Sequence, residues 1–253
     1  MLALLLSLAY HLPAAPPKAD DFHWKGKIPA GQTIEIRGIN GGIRAAAGSG
    51  PEVEVTGVKH ARKSNPDDVK IEVVTHAGGV TICAVYPGRH GRTNSCEAGG
   101  AENNNTEDND VSVEFTVTVP DGVQLVAATV NGDVGANNLG AHVEATTVNG
   151  SVDVTTKGAA EATTVNGSIR VRMGTSMTAD AEFTTVNGDI TVSFPTGLSC
   201  DFEASTVNGS IESAFPVTVT GRMKPTSMRG TIGAGGKQLK LTTVNGSIEL
   251  QKS

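Results

Sequence analysis

Cys83 and Cys96 stand 13 residues apart on either side of a Gly-, Arg- and Asn-rich stretch. In an oxidising compartment that spacing suits a disulfide staple, worth about 3 kcal/mol in the chain-entropy picture. The rival chemistry is a metal site drawing on Cys83, His90, Cys96 and His76, but its spacing fits no compact zinc pattern. Cys200, in LSCDFEA, is left over and reads as a buried small hydrophobe.

Acidic residues suggest two further chemistries. Glu107, Asp108 and Asp110 could ligate calcium, although a solvated acidic loop explains them equally well. Asp201 and Glu203, near Asp180 and Glu182, could supply the paired carboxylates of a polysaccharide-acting enzyme. Asp153 and Arg170 read as a cross-strand ion pair rather than an acid/base couple. The chain carries no HExxH, GxSxG, phosphate-loop, dinucleotide-glycine or EF-hand pattern, and its six histidines are scattered. No catalytic residue, cofactor or metal ligand is therefore expected. Asn-Gly-Ser occurs four times, a glycosylation acceptor in some secretory proteins. Each of these Asn residues belongs to a repeat, so the structural reading takes precedence.

That repeat organises the second half of the chain. ATVNGDV begins at Ala128, TTVNGSV at Thr146, TTVNGSI at Thr163, TTVNGDI at Thr184 and STVNGSI at Ser205. A degenerate TSMRGTI follows at Thr226 and a final TTVNGSI at Thr242. The spacings are 18, 17, 21, 21, 21 and 16 residues. An eighth copy, RGINGGI at Arg37–Ile43, lies far upstream. A period of this length corresponds to one coil of a solenoid, in which each coil buries its apolar face only against its neighbours. The expectation is an all-β, β-solenoid stack with rungs about 4.8 Å apart, each motif resting on the one before it. Asn131, Asn149, Asn166, Asn187, Asn208 and Asn245 would form an amide ladder. Gly132, Gly150, Gly167, Gly188, Gly209, Gly230 and Gly246 would mark the bends.

Asn-Gly between β-like runs is also a hairpin signal, and an antiparallel sandwich of hairpins is the alternative fold. Side-chain parity favours the solenoid. In a continuous extended reading Val165, Gly167, Ile169, Val171 and Met173 share one face, and Thr164, Asn166 and Ser168 share the other. This predicts Val and Gly inward, Thr and Asn outward, with Gly167 and Gly209 flanking Gly188.

The remaining segments fit the same class. GQTIEIRGI, PEVEVTGV, VKIEVVTHAGGVTICAVYP and VSVEFTVTVP alternate between Gly and Pro breaks. Only 1 Trp, 2 Tyr and 6 Phe are available, so the core must be built thinly from Val, Ile, Ala and Leu. The net charge of −6 and the absence of a basic-aromatic patch argue against nucleic acid. Leu2–Leu12 followed by Pro13-Ala14-Ala15 resembles a signal peptide, cleaved after Ala15 or Ala19, although no Lys or Arg precedes the apolar run. No later segment reads as a transmembrane helix. The expected organisation is a signal at 1–19, a β-rich region at 20–120 and a repeat region at 121–253, continuous with it.

The run DFHWKGKIPAGQTIEIRGINGGI, then VPDGVQL leading into serial TVNG-[SD]-[IV] motifs, resembles a family of proposed bacterial adhesins made of β-strand repeats, whose domain has no assigned function. The resemblance implies a β-solenoid and an exported protein of the periplasm, cell surface or exterior. It supplies no catalytic residues. The expected role is a non-catalytic binding module for a glycan, an envelope polymer or a surface protein. Two alternatives stand beside it: the β-helix enzyme acting on polysaccharide, and an ice-binding solenoid using an outward Thr-x-Asn grid.

Overall fold

The computed structural model describes residues 21–89, 94–99, 106, 108–219 and 224–253; the proposed signal at 1–19 lies outside them. Strands follow one another almost without interruption. The first group is β1 (Phe22–Gly26), β2 (Thr33–Arg37), β3 (Ile43–Ala47), β4 (Val53–His60), β5 (Lys70–His76), β6 (Gly79–Val85) and β7 (Ser112–Val119). Next come β8 (Gln124–Ala128), β9 (Val134–Leu139), β10 (Val143–Thr146), β11 (Val152–Thr156), β12 (Ala160–Thr163), β13 (Ile169–Met173), β14 (Ala181–Thr184) and β15 (Ile190–Phe194). The last group is β16 (Cys200–Ser205), β17 (Ile211–Ser213), β18 (Val217–Val219), β19 (Ser227–Ile232), β20 (Gln238–Thr242) and β21 (Ile248–Lys252).

Two sheets result, ordered β1-β4-β7-β3-β9-β11-β13-β15-β21-β17 and β18-β19-β16-β20-β14-β12-β10-β8-β2-β6-β5. Each coil lays one strand in the second sheet, turns through a TVNG corner, and lays the next strand in the first sheet. Rungs pair in parallel, as in Val152↔Ile169 and Val143↔Ala160. The fold is thus a flattened β-solenoid, not a sandwich of Asn-Gly hairpins. Its thinness follows from the core residues. Ala127, Ala145, Ala160, Ala162 and Ala181 line one wall, facing Val134, Val152, Val154, Ile169, Val171, Ile190 and Val192 on the other, all buried.

Antiparallel strands close both ends. At one end β4 and β1 extend the first sheet antiparallel beyond β7, while β5 pairs antiparallel with β6. Here β6 and β7 make an incomplete rung, pairing in parallel with β2 and β3. Beside this rung the buried Tyr86 hydroxyl donates to the Val111 and Asn40 carbonyls. At the other end β19 and β18 cap β16.

Three expectations of register fail. The stacking order of the motif Asn is 40, 131, 149, 166, 187, 245, 208. The C-terminal copy is therefore inserted between the fourth and fifth copies, and Gly188 lies between Gly167 and Gly246 rather than Gly209. The upstream RGINGGI forms the first complete rung. The degenerate TSMRGTI is not a rung at all. It lies in antiparallel β19, and Gly230 pairs with Phe202 and Val219 instead of marking a bend.

Side-chain parity is the third failure. Thr129, Thr147, Thr164, Thr185, Thr206 and Thr243 are buried, whereas Val148, Val165, Val186, Val207 and Val244 are exposed. The physical reason is the corner. A chain crossing from one sheet to the other turns outward for two consecutive residues, Val and Asn, so alternation cannot survive from Thr164 to Ile169. Ile169, Ile190 and Ile248 remain buried.

Candidate functional site

The corner stacks five residue types into five columns. The buried Thr hydroxyls donate to the Gly carbonyl of the preceding rung: Thr147 to Gly132 at 2.9 Å, Thr164 to Gly150 at 2.8 Å, Thr185 to Gly167, Thr243 to Gly188 and Thr206 to Gly246, each at 2.9 Å. These bonds give the bend carbonyls a partner inside the protein. The Gly column exists because nothing larger fits. A Cβ on Gly150 or Gly188 would fall 2.5 Å from the carbonyl carbon of the glycine on the preceding rung.

Outside the Thr and Gly columns runs the amide ladder. The Nδ2 of Asn131 donates to Asn40 Oδ1 at 2.8 Å, and Asn149, Asn166, Asn187, Asn245 and Asn208 continue the series at 2.7–2.9 Å. Next to it, Asp133 and Asp189 accept backbone N–H bonds from Ser151 and Ser247 at 2.8 and 2.7 Å. The Val column projects on the other side of the ladder. Val148, Val165, Val186 and Val244 are 36–37% exposed and Val207 65%. Together Val and Asn make a straight ridge, one apolar stripe beside one amide stripe. The outward Thr-x-Asn grid of the ice-binding reading does not form, because every Thr of the column is buried.

Cys83 and Cys96 are joined, with Cα atoms 5.6 Å apart. With Val74 and Val85 they form a small apolar cluster separate from the main core. His76 instead meets the Thr81 hydroxyl at 3.2 Å and accepts from the Gly78 amide; His90 lies outside the described residues. Cys200 is buried and free. Burial, then the charge of Asp201, pushes its thiol up to about 11. Among the described residues no three His, Cys, Asp or Glu converge as a metal site.

Several of the acidic candidates are engaged in structural contacts. Asp110 accepts from the backbone amides of Arg62, Lys63 and Ser64 at 3.3, 3.0 and 2.8 Å, which caps that loop; Glu107 lies outside the described residues. Glu182 pairs with Lys240 at 2.7 Å, Glu203 with Arg229 at 2.5 Å, and Asp180 accepts the Gln238 amide at 2.9 Å. Asp153 and Arg170 are cross-rung neighbours 3.8 Å apart and largely exposed.

One polar cluster escaped the sequence reading. Glu35, buried, accepts from Thr81 at 2.6 Å, from Arg37 Nε at 2.8 Å and from the Gly99 amide at 3.3 Å. Burial raises its carboxyl, but the Thr81 and Arg37 hydrogen bonds and the Arg37 charge outweigh that and hold it below the usual range. In TIEIR, Glu35 and Arg37 look like any outward pair. The return of the 94–99 segment, whose Gly99 amide reaches Glu35, and the Thr81 hydroxyl enclose the carboxylate.

The chain belongs to the Toastrack DUF4097 family, whose family model matches residues 47–251. No curated protein matches it. Among solved structures it is similar to a proposed cell adhesion protein from Clostridium sporogenes, at 8% identity and TM-score 0.49, over 92% of this chain and 100% of the other. It is also similar to a proposed adhesin from Bacteroides fragilis, at 12% identity and TM-score 0.40, over 94% and 99%.

Proposed function

We propose that this chain is a non-catalytic, exported, adhesin-like module whose corner ridge binds an extended glycan or envelope polymer. The ridge itself is the observation that carries the reading. Each interior ladder Asn uses one N–H and one acceptor position of its amide within the column, leaving one of each free for a ligand. Saccharide hydroxyls both donate and accept, and their C–H faces suit the neighbouring Val stripe. Solvent-exposed apolar stripes of this regularity are uncommon on proteins without a partner.

Three other features support it. The Cys83–Cys96 disulfide fits an oxidising compartment. Of the carboxylates suggestive of catalysis, Glu182 and Glu203 are held by cations and Asp180 by a backbone amide. The sheets pass from β2 and β3 directly into β8 and β9, which supports reading 20–120 and 121–253 as one scaffold.

The test is a glycan array of bacterial and host-surface polymers, probed with this chain and with Val148→Asp/Val165→Asp/Val186→Asp. Binding that the triple variant loses, at unchanged fold, is expected. Binding to no glycan, or binding indifferent to the three substitutions, removes the reading.

A further inference from the structure

The C-terminal rung sits out of sequence. Its β20 pairs in parallel with β14 on one side and β16 on the other, and β21 does the same with β15 and β17. Both walls of the slot are themselves TVNG rungs, those of Asn187 and Asn208. Between them the inserted rung buries Leu239, Leu241, Ile248 and Leu250 completely. Its Asn245 bridges the ladder, donating to Asn187 and accepting from Asn208.

The tether that delivers this rung is Gly233-Ala234-Gly235-Gly236, with φ of +59°, +77° and +132° at the three glycines. Such angles favour glycine, so the link is tightly folded here, and its glycines leave it free to extend. Without the rung, both walls present unpaired parallel edges in two sheets at once, and unpaired edges recruit strands.

We propose that this slot is an interface for a second copy of the chain, which inserts its own residues 237–253 to give a reciprocally exchanged dimer. The occupant is specified by the slot. It must bring two strands joined by a TVNG corner, with Leu and Ile at the inward positions and Asn in the ladder column. In this chain the segment meeting that description on a glycine tether is the C-terminal rung. Exchange reproduces every contact of the closed chain and alters only the path of residues 233–236, which is why such swaps form at little energetic cost.

The experiment uses the full chain with its disulfide intact, carrying Thr191→Cys/Glu249→Cys. These positions are neighbours across β15 and β21 on the outer face. The protein is unfolded, refolded at low and at high concentration, separated by size, and bridged with a short bis-maleimide. A dimer that appears only on concentrated refolding, and in which the bridge joins positions 191 and 249 of different chains, is expected. Monomer at every concentration, or a dimer whose bridges all lie within single chains, overturns the proposal.

Discussion

Gly188 rests so closely on Gly167 that a Cβ built on it would fall 2.5 Å from the Gly167 carbonyl carbon and 2.9 Å from the Ser168 nitrogen. Both obstacles are backbone, so no side chain can swing aside to relieve them. The contact recurs at Gly132, Gly150, Gly167, Gly209 and Gly246, and it sets how tightly successive corners can approach.

Gly188→Val should therefore destabilise the chain by more than about 2 kcal/mol, in the range of core overpacking plus backbone displacement. Asn187→Ser, which removes one exposed amide from the ladder, should cost about 1 kcal/mol or less. Urea unfolding of both variants checks the order; Asn187→Ser being the worse of the two would contradict the packing described.

Thr185→Val keeps the shape of a buried side chain and deletes only its hydroxyl. The Gly167 carbonyl then loses its 2.9 Å donor. A loss of about 1–3 kcal/mol is expected, against almost none for Val186→Thr on the exposed column. Equal stability of Thr185→Val and the parent would show that the hydroxyl is dispensable.

Reducing the Cys83–Cys96 bond, or replacing Cys96 by Ser, should lower stability by about 3 kcal/mol for a loop of this length. Cys200 should behave oppositely to an accessible thiol. With its thiol pushed up to about 11 and its side chain buried, it should resist iodoacetamide at mildly alkaline pH until denaturant is added. Rapid alkylation of the native protein at Cys200 would contradict both its burial and its shift.

Acid sensitivity follows from Glu35. A carboxyl held below its unfolded value stabilises the fold above that value, and the contribution is lost as pH falls through the folded one. Stability should hold from neutral to mildly acidic pH and decline once pH drops below the ordinary glutamate range. Glu35→Gln should flatten part of that decline in thermal melts; an unchanged acid slope would assign it to other carboxylates.

Repetition makes the solenoid legible, because TVNG recurring at 17–21 residues through five consecutive copies has few other physical explanations. The corner was misread at Val165 because strand parity was carried through a bend that consumes two outward residues in succession. Rung order was hidden for a different reason. The motifs at Thr184, Ser205 and Thr242 are nearly interchangeable, so nothing local says which stacks on which. The decoy at Thr226 was partly legible, since Met228 and Arg229 replace the Val and Asn that every true rung after the first carries. The Asn40 rung pairs with a residue 91 positions away, a separation that repeat spacing does not anticipate.

The amide ladder has a direction. Every Nδ2 points toward the Asn40 end and every Oδ1 toward the Asn208 end, and each bond polarises the next. Reversing one amide would set donor against donor on one side and acceptor against acceptor on the other, so the column holds its sense as a unit. The ridge is consequently a vector and not merely a stripe. An extended polymer bound along the ridge, as proposed, would meet hydrogen-bond dipoles aligned head to tail, and its two possible orientations would differ in energy at every rung. A surface built by copying one short motif would thereby have the means to tell one end of such a chain molecule from the other.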